Sequence, residues 1–238
     1  MHANNHRDGT PVDTSGGSVG ARNSTSEAAY NMELSTRGDG VKVLKVGFGR
    51  PAQNDELVRE AVQKVRDIAM SGEIYAKDVV INGPASLPVA MALAHELGHV
   101  AKSVRVFDPK LNTDIVSVSH DPSGSVGKKI DAQEPAYHIE VEGEKDGVLT
   151  LKIRFGRPTQ NDEIVYDALA ALKPIVDGGL TYGKVVLLHG PASLPVAAAL
   201  GYKLAHICKA VAAFDPKINK GVIAIAHDSD YSVGDLIG

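Results

Sequence analysis

The chain has 238 residues, with 25 Lys and Arg against 29 Asp and Glu, a net charge of -4 and 43% hydrophobic residues. That balance excludes a broad basic groove for DNA or duplex RNA, but leaves room for a compact anion held by backbone amides and a few local cations. Aromatic residues make up only 5% and Trp is absent, which argues against a stacking platform for single strands. A lone cysteine, Cys208, excludes an internal disulfide and reads as a packing residue at an apolar helix end. No apolar run approaches about 20 residues and the N-terminus shows no secretory signal, so the expectation is a cytoplasmic protein with no membrane contact.

In chain order, residues 1–40 are rich in Gly, Ser, Asn and Thr and read as a disordered tail, with His2 and His6 lacking ligand-like partners. Residues 41–48 are β-branched and apolar, the pattern of a strand. Asn54 is the expected N-cap of a helix with Asp55 and Glu56 in its first turn. Leu57, Val58, Ala61, Val62, Val65, Ile68 and Ala69 give that helix one apolar stripe. Residues 78–82 are a short buried strand. Ser86 is the expected N-cap of a second helix, with Pro88 tolerated in its first turn. Strands follow over 103–107 and 115–119. The short Asp108-Pro-Lys-Leu-Asn-Thr turn between them forces an antiparallel pair, since a parallel return needs a dozen or more residues.

The pattern then repeats. FGRPAQNDELV at 48–58 matches FGRPTQNDEIV at 155–165, and GPASLPVAMALAHELGH at 83–99 matches GPASLPVAAALGYKLAH at 190–206. VFDPKLN at 106–112 matches AFDPKIN at 213–219, and SHD at 119–121 matches AHD at 226–228. The offset stays at 107 residues (Arg50 to Arg157, Ser86 to Ser193, Asp108 to Asp215). The expected fold is α/β: two tandem Rossmann-like domains over 41–130 and 148–238. Each has a mostly parallel sheet, an antiparallel last strand and helices packed on it. The charged segment 131–147 reads as a linker carrying an added strand.

Topology sorts the repeated polar residues. Ligands of open α/β sheets lie beyond the C-terminal strand ends. Arg50, Asn54, Ser86, Asp108 and Lys110 follow such ends, as do Arg157, Asn161, Ser193, Asp215 and Lys217. The helix opened by GPAS offers free N–H groups to an anion there. His99 and His206 close helices at the opposite end, where the downward strands also bring His120 and His227. Each residue has a plainer explanation. Asn54 caps a helix, Asp108 opens a turn, His99 complements a helix dipole, and His120 is a hydrogen-bonded structural histidine. Retention of the whole set in both copies favours function.

The order GP, LAHxxxH, FDPK, SH and a VGD-like ending resembles the small CRISPR-associated ring nucleases of the Csx-three family, relatives of the CARF sensor domains. The resemblance covers about 41–130 and 148–238, a fusion of two such domains. It implies an enzyme that binds and cleaves cyclic tetra-adenylate, with binding and catalytic residues on opposite faces of stacked molecules. On the matching motifs, the family's catalytic residues fall on His99, Asp108, Lys110 and His120 and on His206, Asp215, Lys217 and His227. Arg50, Asn54, Ser86, Arg157, Asn161 and Ser193 are the ligand-binding candidates by position. The family also implies Mn²⁺, with ligands undefined, activity on linear RNA 3′ ends, and homo-oligomers stacked end to end. The copies differ: His95 becomes Tyr202, and Gly124 and Lys128 become Tyr231 and Asp235. The rival readings are a sensor that sequesters the ring uncut, a Mn²⁺-dependent exoribonuclease, and a scaffold without affinity for adenylates.

Overall fold

The computed structural model describes residue 1, residues 27–122 and residues 124–238. His2 and His6 lie outside the described residues. The first half runs β1 (Tyr30–Thr36), β2 (Lys42–Phe48), α1 (Asn54–Met70), β3 (Asp78–Asn82), α2 (Leu87–Gly98), β4 (Ser103–Asp108) and β5 (Thr113–Ser119). The second half repeats that order as β6 (Tyr137–Lys145), β7 (Val148–Phe155), α3 (Asn161–Asp177), β8 (Val185–His189), α4 (Leu194–Ala205), β9 (Ala210–Asp215) and β10 (Lys220–Ala226), then adds β11 (Leu236–Ile237). The strands form two sheets, β1-β2-β3-β4-β5 and β11-β10-β9-β8-β7-β6.

Both sheets are mixed rather than mostly parallel. β2, β3 and β4 run parallel, as do β7, β8 and β9. The antiparallel strands are β5 and β10, as expected, and also β1 and β6. β1 corrects the tail expected over 1–40 and extends the repeat upstream, while β6 is the added strand expected in 131–147. Each belongs to a hairpin closed by an Asp-Gly turn, with Gly40 at φ 84° and Gly147 at φ 79°. Tyr30 and Tyr137 open these strands fully buried. Each donates its hydroxyl to the carbonyl of the GP proline, Tyr30 to Pro84 O at 2.9 Å and Tyr137 to Pro191 O at 2.8 Å. The edge strand thereby fixes the loop ahead of the second helix. Gly83 is required there: its φ is 134°, and a Cβ would stand 2.0 Å from Val46 O.

One buried core runs through both halves. At its centre α2 packs on α4, and α2 also touches β9 and β10 of the other half while α4 touches β4 and β5. Residues 88–95 of α2 and 195–201 of α4 are buried at every position, because each helix meets its partner helix and both sheets. The run of Ala, with Gly201, lets the two backbones approach closely. Among the described residues no helix is long and apolar enough to cross a membrane. Cys208 packs in the core, where burial pushes its thiol up to about 12.

Candidate functional site

The repeated polar residues gather on two opposite faces, as the topology requires, and each face mixes residues of both halves. On the loop face, one cleft of about 610 Å³ is lined by Arg50, Asn54 and Ser86 together with Asp215 and Lys217. A related cleft of about 480 Å³ is lined by Asp108 and Lys110 with Arg157, Asn161 and Ser193. The QND segment of one half thus faces the FDPK turn of the other.

Asn54 is not the N-cap; Gln53 holds that position and Asn54 is the first helical residue. Its side chain is engaged elsewhere. Asn54 Nδ2 donates to Asp215 Oδ2 at 2.7 Å, and Asn161 Nδ2 donates to Asp108 Oδ2 at 2.7 Å. The other carboxylate oxygens accept from the turn, Asp108 Oδ1 from Lys110 N at 2.8 Å and Asp215 Oδ1 from Lys217 N at 2.9 Å. Both carboxylates are 5% exposed. They knit turn to helix across the halves, which is the structural reading of Asp108 in part realised.

Ser86 and Ser193 stand at the N-cap positions, yet neither makes a side-chain cap bond. Both hydroxyls are buried without a hydrogen-bond partner. An orphaned polar atom at a helix N-terminus costs free energy unless something fills the cleft. Arg50 is paired with Glu56 and Arg157 with the buried Glu163. The guanidinium groups are thereby held within their own halves, and the exposed cations at the cleft mouths are Lys110 and Lys217.

The opposite face collects histidines. His95 lies in the last turn of α2 and His99 at its C-cap; Tyr202 and His206 hold the equivalent places on α4. Four rings of the two halves converge: His95 to His99 at 4.5 Å between centroids, His95 to His227 at 5.0 Å, and His99 to His206 at 5.8 Å. His120 sits to the other side, with Nε2 2.7 Å from Gly98 O and 3.2 Å from the Tyr202 hydroxyl. Burial, then the neighbouring His95, holds His99, His206 and His227 below the ordinary histidine range, so these rings are neutral at neutral pH.

The charge behind the terminal histidine differs between the halves, a carboxylate, Glu96, near His99 and a cation, Lys203, near His206. His95 Nε2 stands 3.0 Å from His99 Nε2, its Nδ1 is 3.7 Å from Glu96 Oε1, and Arg66 Nη2 is 2.8 Å from that same oxygen. Burial raises the Glu96 carboxyl, but hydrogen bonds from His95 and Arg66 outweigh it and bring it to about 2. Tyr202 and Lys203 replace His95 and Glu96 in the second half.

Asp108 and His120 lie at opposite ends of the β4–β5 hairpin, where Asp108 pairs with Thr113 and Ser103 with Ser119. One half therefore never brings its aspartate to its own histidines. Among the described residues no three His, Cys, Asp or Glu side chains gather as a metal site. The histidine face offers nitrogen where manganese favours oxygen donors, so the residues present do not fit Mn²⁺ within one chain.

The architecture is that of an α/β protein of two mixed sheets and four helices with polar clusters at both ends. Residues 62–131 match the family model described as CRISPR-associated protein (Cas_csx3). That match falls on the histidine helix α2, the FDPK turn and His120. No curated protein matches. Among solved structures, the Acinetobacter baumannii Cap4 SAVED/CARF-domain containing receptor is similar with a TM-score of 0.47 and 14% identity, over 72% of this chain and 40% of that one. The same receptor with the cyclic trinucleotide 2′3′3′-cAAA gives 0.45 and 14%, covering 72% and 42%. With 3′3′3′-cAAA it gives 0.44 and 15%, again covering 72% and 42%. This chain thus spans about two-fifths of the receptor's length.

Proposed function

We propose that this protein binds cyclic tetra-adenylate and cleaves it, as a type III CRISPR ring nuclease built from two fused Rossmann-like units. The observation that carries the reading is the convergence of His95, His99, His206 and His227 into one cluster drawn from both halves, in which burial keeps His99, His206 and His227 neutral. A neutral imidazole accepts a proton at neutral pH. A ligand with rotational symmetry meets related groups from the two halves on each face.

The chemistry needs no outside nucleophile. A ribose 2′-hydroxyl of the ring attacks the adjacent phosphorus, and the bond to the 5′ oxygen breaks. The product end is a 2′,3′-cyclic phosphate and the other end a 5′-hydroxyl. His99 takes the 2′ proton, which passes through the contacting rings of the cluster to a second histidine and from there to the leaving oxygen. Lys110 and Lys217, with Ser86 and Ser193, bind phosphate on the loop face, where a cation and fixed donors stabilise developing charge. Histidines and lysines lie at opposite ends of the molecule, so a complete site forms between two molecules stacked end to end. Asp108 and Asp215 position the turns that carry the lysines.

Radiolabelled cyclic tetra-adenylate incubated with the protein, beside His99→Ala and His206→Ala, tests this. Cleavage lost in either variant and a rate rising faster than linearly with dilute protein are the expected results. Binding without cleavage makes the protein a sequestering sensor, and cleavage strictly linear in protein concentration removes the stacked site.

A further inference from the structure

The repeat allows a groove of one half to be compared with the related groove of the other, and the residues of one such pair differ in charge. Between α3, α4 and β5 lies a cavity of about 520 Å³, lined by Ser117, Tyr166, Leu169, Lys173, Tyr202 and Lys203 among others. The counterpart lies between α1, α2 and β10. There Arg66 and Glu96 bridge the two helices at 2.8 Å, and Arg59 Nη2 donates to Gly234 O at 2.8 Å. The residues related to Arg66 and Glu96 are Lys173 and Lys203, two cations that cannot bridge. Arg59 becomes Tyr166. The second groove therefore lacks the ion pair that ties the two helices of the first.

A second difference lies deeper. Ser117 is the extra residue of the β4–β5 bulge, set between the paired Val116 and Val118. It is 3% exposed and its hydroxyl has no hydrogen-bond partner. The bulge of β10 puts Ala224 at the related position, with nothing to satisfy. A buried hydroxyl without a partner is a cost that the other half avoids. Lys173 pairs with Asp177 at the rim, whereas Lys203 has no carboxylate partner among the described residues.

We infer that this cavity is a second ligand site, away from the loop face and beside the histidine face, and that it takes a nucleoside monophosphate, free or as the end of a linear oligonucleotide. The volume suits such a ligand. The apolar floor of Val118, Leu169, Leu172 and Val176 accepts the flat base. A ring nitrogen or exocyclic amine satisfies Ser117, which an alkyl chain leaves orphaned. Lys203 at the mouth takes the phosphate. Tyr202 forms one wall and also touches His120 and His206, so the site shares a side chain with the histidine face. The inference goes beyond ring cleavage and does not need it.

Titration calorimetry of the full chain with adenosine 5′-monophosphate, octanoate and a short linear oligoadenylate tests it. One saturable site for the monophosphate is expected, weakened about tenfold by Lys203→Glu, which lets Lys173 form the bridge of the other half. Ser117→Ala, which copies Ala224 and preserves the fold, weakens the monophosphate severalfold and leaves octanoate and cyclic tetra-adenylate unchanged. Tighter binding of the linear oligomer identifies a strand end as the natural occupant; equal binding identifies the free nucleotide. Absence of binding at millimolar monophosphate, equal affinity in Lys203→Glu, or a preference for octanoate overturns the assignment. Monophosphate binding without any affinity for the ring leaves this cavity standing and removes the ring-nuclease reading instead.

Discussion

Gly201 sits where α4 crosses α2. A Cβ there would stand 2.7 Å from Met91 Cβ and 3.1 Å from Met91 Cα. Ordinary carbon contacts begin near about 3.5 Å, so Gly201→Val forces the helices apart by most of an ångström. The Met91 backbone is fixed in a helix buried on every side and has no room to yield. Overpacking of this kind costs about 1–3 kcal/mol. The better helix propensity of Val returns about 0.4 kcal/mol. A net loss of about 2 kcal/mol in a chain of this size lowers the melting temperature by about 4–8 °C. Gly47→Ala in β2, where a Cβ meets nothing within 4 Å, serves as the control and melts with the wild type. Thermal unfolding by circular dichroism reads both. A Gly201→Val variant that melts with its control refutes the close crossing, and with it the single core shared by the halves.

Three further outcomes follow from the same geometry. Asn161→Ala removes the donor to the buried Asp108 and lowers stability by about 1.5–3 kcal/mol in urea unfolding, as does Asn54→Ala through Asp215. The histidine cluster makes stability depend on pH. His99, His206 and His227 hold protons less readily folded than unfolded, so below about pH 6.5 the unfolded chain takes up protons that the folded one refuses. Stability is full above that value and falls as the pH drops through it; His227→Gln makes the slope of melting temperature against pH shallower. In the cleavage assay His95→Gln lowers turnover about tenfold to a hundredfold with ring binding unchanged, because His99 loses the neighbour tied to Glu96. An equal loss in Tyr202→Phe would show that the charged pair behind His95 adds nothing.

The helices, the inner strands and the sorting of polar residues to two ends were legible in the sequence, because each rests on local periodicity and strand direction. The boundaries of α1 and β3 agree with that reading to within a residue. The first strand was not read, although its signal was present: Asp39-Gly40 and Asp146-Gly147 are hairpin turns at the same offset, following Tyr30 and Tyr137. Composition of the segment ahead of Tyr30 outweighed them. The pairing of Asn54 with Asp215 was out of reach, since a contact between residues 161 positions apart leaves no trace in either neighbourhood. The all-round burial of α2 is partly visible in its lack of a polar face over residues 88–94. The change of His95 to Tyr202 lay in view as a departure between copies, without the distances that tie His95 to His99 and Glu96.

The two faces are built like those of a twofold dimer, yet both partners belong to one chain. In a dimer of identical subunits every substitution arrives twice, so a groove cannot be bridged on one side and open on the other. Here Glu96 and Lys203 occupy related places, and so do His95 and Tyr202. Joining the halves removes the obligation that a change tolerable in one site be tolerable in both. A single reading frame can therefore keep one copy of an old arrangement while the other is free to acquire a different chemistry.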